Sequence, residues 1–121
     1  MDRRRFIGCS VAAAVAASLP YGRTWAAKVT GDVAAVRSGG QTTTLAAGDL
    51  QHLKDSLRGQ LLLPGDPGYD VARRVRNLSI DKHPALIIQP SGAADVRTAV
   101  DFAREKDLLL AVKCGGHSYA G

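Results

Sequence analysis

Apolar positions along the chain fall into short clusters set apart by glycine, proline and charge, and each cluster predicts an element. From Ala27 to Thr44 no period is sustained, and Gly31, Ser38, Gly39, Gly40 and a threonine run predict a tether or weakly ordered arm. Asp49 then offers a helix N-cap, Leu50, Leu53 and Leu57 recur at helical spacing, and Gly59 supplies a stop, which predicts one short amphipathic helix. The apolar run Gln60-Leu61-Leu62-Leu63 is cut off by Pro64-Gly65-Asp66-Pro67-Gly68, a surface turn. Val71, Val75 and Leu78 share a face while Arg73, Arg74 and Arg76 fall largely elsewhere, so a second short helix with a solvated basic side is expected.

The best-defined unit starts at Ala85-Leu86-Ile87-Ile88-Gln89, a compact run suited to a buried strand and closed by Pro90. Ser91 can cap a helix whose apolar positions Val96, Ala99, Val100 and Ala103 follow the i, i+3, i+4, i+7 rule, with Asp95 early and Arg104 and Lys106 late, as the helix dipole favours. The run Leu108-Leu109-Leu110-Ala111-Val112 follows without alternation, as in a strand covered on both faces. Strand, helix and strand in this order predict a βαβ unit with parallel strands, and hence an α/β (α+β) fold.

The 121 residues allow one small domain. The net charge of +5 invites a nucleic-acid reading, but residues 1–26 hold Arg3, Arg4, Arg5 and Arg23 against Asp2. Of the 16 basic and 11 acidic side chains, 12 and 10 remain beyond them, a net of +2, with no interleaving of basic and aromatic residues, so nucleic acid is not expected as a partner. Residues 1–26 themselves read as a signal peptide: a basic start, an apolar stretch from Phe6 to Leu19, and the small-residue end Thr24-Trp25-Ala26. The apolar stretch is shorter than the roughly 18 to 20 residues of a membrane span, so no permanent span is expected. Asp2-Arg3-Arg4-Arg5-Phe6-Ile7-Gly8 resembles a twin-arginine signal, with Asp2 in place of the usual Ser or Thr, which implies a periplasmic or secreted protein exported after folding around a cofactor. Cys9 sits near the start of the apolar stretch, unlike a lipid-modified cysteine, and is expected to leave with the signal, so that Cys114 remains without an internal disulfide partner.

Residues 113–121 begin where the second strand of the βαβ unit is expected to end, the usual ligand position in open α/β sheets. Gly115 and Gly116 let the main chain turn tightly and bring N–H groups against an anion, and Lys113 and the Ser118 hydroxyl are placed to add to such a cradle. On composition alone an ordinary turn is about as good a reading, since neither G-x-x-x-x-G-K-[ST] nor G-x-G-x-x-G is present. Zinc is the rival chemistry: Cys114 and His117 form half a site, but His52 and His83 stand isolated and no second pair completes it. No G-x-S-x-G elbow supports serine nucleophilic catalysis.

A wider pattern extends beyond the loop. Leu63-Pro64-Gly65-Asp66, Tyr69, Asn77, Pro84, Ile87-Ile88-Gln89-Pro90, Asp95-Val96, Ala99-Val100, Phe102-Ala103 and Val112-Lys113-Cys114-Gly115-Gly116-His117-Ser118-Tyr119-Ala120-Gly121 together resemble the start of the FAD-binding domain of the p-cresol methylhydroxylase and vanillyl-alcohol oxidase superfamily (PCMH-type), nearest to its berberine bridge enzyme and oligosaccharide oxidase branch. The resemblance covers residues 45–121, after a signal peptide over 1–26 and a linker over 27–44. It implies that Lys113, Cys114, Gly115, Gly116, Ser118 and Tyr119 line a cradle for the FAD pyrophosphate, and that His117 bonds to the 8α-methyl carbon of the flavin. A second, cysteinyl link in some members lies further downstream in the chain, so Cys114 is expected to be a small packed thiol. The implied enzyme is an exported oxidoreductase that transfers hydride from a small sugar, alcohol or alkaloid-like substrate to covalent FAD and then to oxygen or another acceptor. Because the chain stops directly after the motif, an N-terminal fragment, inactive by itself, is expected; a truncated remnant and a small exported binding module without flavin are the alternatives.

Overall fold

A computed structural model describes residues 28–120; the signal-like segment 1–26, with its arginines and Cys9, lies outside the described residues. The first element is a hairpin. Strand β1 (Val33–Val36) pairs antiparallel with β2 (Thr42–Leu45), Val33 opposite Leu45 and Val36 opposite Thr42. This corrects the expectation of a loose arm: Ala35 and Leu45 are buried while their neighbours in sequence are not. The alternation is there, but alanine and threonine carry half of it, so it is faint in hydropathy. Arg37 N–H donates to Gln41 O at 2.8 Å and Gly40 takes φ +86° to close the turn.

Helix α1 (Ala47–Ser56) follows and buries Leu50 and Leu53 as its spacing predicts. Its start differs from expectation. Asp49 lies inside the first turn, and the first N–H is satisfied from a distance by Asp32 Oδ1, which accepts from Ala47 N at 2.9 Å. Asp49 instead meets Lys106 at 2.7 Å, joining α1 to the helix that follows β4. Strand β3 (Gln60–Leu62) comes next, with Leu61 and Leu62 buried.

The second predicted helix shrinks to one turn, α2 (Tyr69–Arg73). Val71 and Leu78 are 74 % and 82 % exposed, so the apolar face assigned to them does not exist. The anchor is Tyr69, buried on its apolar side and donating its hydroxyl to Pro84 O at 2.6 Å. Arg73 holds the turn from outside, paired to Asp70 at 2.7 Å and also to Asp81. The hydrogen bond that Arg73 donates to Asp70, then that to Asp81, raises the Arg73 pKa.

Strand β4 (Ile87–Gln89) pairs antiparallel with β3: Gln60 faces Gln89, Leu61 faces Ile88 and Leu62 faces Ile87. Helix α3 (Ala93–Glu105) then crosses back, with Ala103 and Asp95 buried. Ser91 does not cap it. The N-cap position is Gly92, and Ser91 donates its own N–H and hydroxyl to Asp95, at 2.8 and 3.0 Å. At the other end Asp107 takes the left-handed conformation, φ +53°, while Leu108 N–H reaches Ala103 O at 2.8 Å and Asp107 N–H reaches Arg104 O at 3.2 Å. This is a Schellman stop, and it turns Leu108 onto the core. A short aspartate tolerates the left-handed region better than most residues.

The parallel βαβ unit is therefore corrected. Among the described residues both sheets are two-stranded and antiparallel, β1 with β2 and β3 with β4, giving an α+β arrangement. The run 108–112 makes one antiparallel bridge, Leu108 to Arg37, with Leu109 N–H on Val36 O at 2.9 Å, and then leaves the sheet edge. Leu109, Leu110 and Val112 are 65 %, 51 % and 89 % exposed. Strand β3 takes one edge of β4 in antiparallel register, and the run 108–112 turns to the hairpin instead of pairing beside β4. The core gathers Val29, Ala35, Leu45 and Leu50, with Leu86, Phe102 and Leu108 packed against them. Among the described residues no helix is long and apolar enough to cross a membrane.

Candidate functional site

Residues 113–119 form a loop that folds back on the stretch just after α2. Gly115 and Gly116 have φ +69° and +66°, the consecutive positive values a type I′ turn requires. An L-residue in that region costs about 1–2 kcal/mol. Space demands glycine as well. A Cβ on Gly115 would stand 2.7 Å from His117 Cδ2, so the imidazole lies over this glycine. A Cβ on Gly116, which is buried, would meet Lys113 Cε at 2.8 Å and Val75 Cα at 3.3 Å.

Three attachments set the loop on its platform. Lys113 Nζ donates to Ala72 O at 2.8 Å and to Arg74 O, so its ammonium stands where the C-terminal carbonyls of α2 concentrate negative charge. Arg76 N–H donates to Gly116 O at 2.9 Å. Asn77 Nδ2 donates to Tyr119 O at 2.8 Å, and Asn77 Oδ1 accepts from Ser79 N–H at 3.2 Å. In contrast, the N–H groups of Gly115, Gly116 and Ser118 have no acceptor among the described residues. The turn thus holds unpaired main-chain donors next to residues 74 and 76, Gly116 buried against Lys113 and Val75 and Gly115 beside the His117 ring; unpaired donors in such a turn suit an anion once the imidazole stands aside.

All seven residues singled out from the sequence, Lys113 to Tyr119, fall in this one loop, but they do not act alike. The ammonium of Lys113 faces α2 carbonyls rather than the open side of the turn. Cys114 is exposed with a free thiol, and His117 and Ser118 are exposed. Tyr119 is 90 % exposed, a flat ring without a protein surface under it. Among the described residues no three His, Cys, Asp or Glu side chains converge, and Cys114 and His117 have no further ligand beside them. A polar groove lined by Arg37, Thr43, Asp49 and Lys106 lies between the hairpin and the end of α3 and shares no residue with the loop.

What sequence reasoning missed is the platform, residues 72–77. Its one legible signal is Asn77, a residue of the wider resemblance that carries no implied role. Alanine at Gly116 is expected to destabilise the fold by about 1–2 kcal/mol and to displace Lys113 from α2. Urea unfolding together with the rate of tryptic cleavage after Lys113 checks this; stability and cleavage both as in wild type would show that the turn accommodates a side chain.

No family model matches the chain. It is 33% identical over 66 residues to the uncharacterized FAD-linked oxidoreductase YgaK of Bacillus subtilis, a match covering 54% of this chain and 15% of that protein. It is 34% identical over 62 residues to the uncharacterized FAD-linked oxidoreductase YvdP of the same organism, covering 51% and 14%. It is 30% identical over 66 residues to (R)-6-hydroxynicotine oxidase of Paenarthrobacter nicotinovorans, covering 54% and 14%. The matched stretch is thus a small part of each relative's length, and over about half of its own residues the chain is similar to FAD-linked oxidoreductases.

Proposed function

We propose that this chain is the N-terminal part of the FAD-binding domain of an exported flavin-dependent oxidoreductase of the PCMH-type superfamily, in or near the berberine bridge enzyme branch. The observation that carries the reading is the glycine turn with unpaired N–H groups, pinned beside a basic stretch. It fits a diphosphate: the donors at Gly115, Gly116 and Ser118 have no acceptor among the described residues, and neither glycine adds a side chain of its own to a turn already packed against His117 and Lys113.

FAD, when bound, supplies the acceptor for hydride taken from a small sugar, alcohol or amine substrate, with oxygen or another acceptor taking the electrons afterwards. The chain's own residues would hold it. Gly115, Gly116 and Ser118 would donate to the diphosphate, the Ser118 hydroxyl would add a donor, and the ring of Tyr119 would offer a face for packing. Cys114 serves as a small neighbour of the turn. Lys113 contributes charge through space while its ammonium keeps α2 and the loop together. His117 would be the residue bonded to the 8α-methyl carbon: a ring nitrogen would form the new C–N bond as the methyl loses a C–H, the proton going to water and the electron pair through the flavin to the electron acceptor. Such a bond keeps the cofactor on a protein outside the cytoplasm, in line with the twin-arginine-like start of the chain.

The test uses the full-length polypeptide produced with ample FAD. A yellow protein is expected whose flavin stays with the acid-precipitated polypeptide, while His117→Ala releases essentially all of it. Flavin retained by the variant overturns the link to His117, and a full-length protein without flavin absorbance overturns the oxidoreductase reading.

A further inference from the structure

The loop's two main-chain attachments bracket its histidine. Gly116 O, one residue before His117, is fixed by Arg76 N–H at 2.9 Å. Tyr119 O, two residues after it, is fixed by Asn77 Nδ2 at 2.8 Å. Between these points lie His117 and Ser118, so the two attachments together fix the side of the turn that carries the imidazole and the Ser118 N–H. The first attachment is made by main chain, so substitution at Arg76 leaves it in place. The second depends on one side chain, and its amide is oriented by its own oxygen, which accepts from Ser79 N–H at 3.2 Å.

We infer that Asn77 is a positioning residue for the anion-holding loop: its amide donates to Tyr119 O and so holds His117, Ser118 and the turn amides in the arrangement a diphosphate requires. Asn77 itself touches no ligand; it acts through the loop. The inference rests on the flavin reading for its ligand, but not for the loop order it asserts.

Two substitutions separate the halves of the side chain. Asn77→Asp keeps the acceptor for Ser79 N–H and replaces the donor with a second oxygen that repels Tyr119 O. Asn77→Ala removes both. If the residue mattered only for the turn at 77–79, aspartate would behave as wild type. If it positions the loop, aspartate behaves as alanine or worse.

The experiment is limited trypsin digestion of full-length wild type, Asn77→Asp and Asn77→Ala, following cleavage after Lys113 in the loop and after Arg97 in α3, with flavin per polypeptide measured on the same samples. Cleavage after Lys113 is expected to speed up at least about fivefold in both variants, the loss of one ordered hydrogen bond, while cleavage after Arg97 stays as in wild type. The flavin content is expected to fall at least by half. Cleavage after Lys113 in Asn77→Asp equal to wild type overturns the inference. So does an equal rise after Arg97, which would mark a general loss of stability. Colourless wild type removes the flavin reading, while cleavage after Lys113 still decides the role of Asn77.

Discussion

Alanine at position 59 is expected to destabilise the protein by about 3–5 kcal/mol, enough to leave little of it folded. Gly59 sits between α1 and β3, and a Cβ there would stand 2.0 Å from Gln89 O, 2.9 Å from Ser91 N and 3.0 Å from Asp95 Oδ2. None of these atoms is the yielding end of a long side chain. Gln89 O belongs to the strand whose partner begins one residue after Gly59, so relief requires parting β3 from β4 at the Gln60–Gln89 pair. With three residue pairs in the ladder, little pairing survives that shift. Gly48 provides the control. It lies within α1, and a Cβ at that position would meet nothing within 4 Å, so alanine there is expected to be neutral or to stabilise by up to ~1 kcal/mol. Urea unfolding of the two variants beside wild type measures the contrast, and equal midpoints for all three would contradict the close packing at position 59.

The second large effect belongs to Asp95, which is 2 % exposed. Its carboxylate accepts from Arg58 N–H at 3.0 Å, Gly59 N–H at 2.8 Å, Ser91 N–H at 2.8 Å and the Ser91 hydroxyl at 3.0 Å. It ties the exit of α1 to the entry of α3, two segments far apart in sequence. The N–H of Arg58, then that of Ser91, lowers its pKa to about 2, against an opposing effect of burial. The unfolded chain, near 3.8, takes up the proton first as the pH falls. The stability Asp95 brings is therefore full above about pH 4 and is lost as the pH falls through about 2. Asp70 and Asp81, whose pKa values are lowered chiefly by hydrogen bonds from Arg73, act in the same direction. Asp95→Asn keeps the shape, but its NH2 group turns donors toward donors. Its melting temperature at pH 7 is expected to fall by roughly 10 °C. Between pH 5 and 2 its stability declines less steeply than that of wild type, so the two curves converge in acid. Parallel curves over that range would show that Asp95 is not the group that titrates.

Elements with leucine at helical spacing were legible in the sequence, and those built from small residues were not. Leu50 and Leu53 announce α1, and α3 is announced by its length and its alanine and valine spacing. The hairpin escaped because Ala35 and Thr43 stand in it where larger residues would have shown the alternation. The pairing of β4 escaped because an apolar run states that it will be covered and not by which strand. For α2, spacing misled outright: Tyr69, outside the assumed stripe, is the buried residue. The loop itself was readable in its composition, since paired glycines predict left-handed main chain and both are left-handed. Its partners were not, because carbonyls at 72 and 74 and an amide at 76 leave no trace in residue identity.

Those partners lie 39 to 42 residues back along the chain for the Lys113 and Asn77 bonds, with β4 and α3 in between. The glycine turn is therefore encoded nonlocally. An isolated peptide with the same seven residues has no counterpart for Ala72, Arg74 or Asn77, and closing a loop of that length costs entropy that the intervening elements must first reduce by condensing. Order in the turn is consequently expected late in folding, after the hydrophobic interior and not alongside the turn's own sequence.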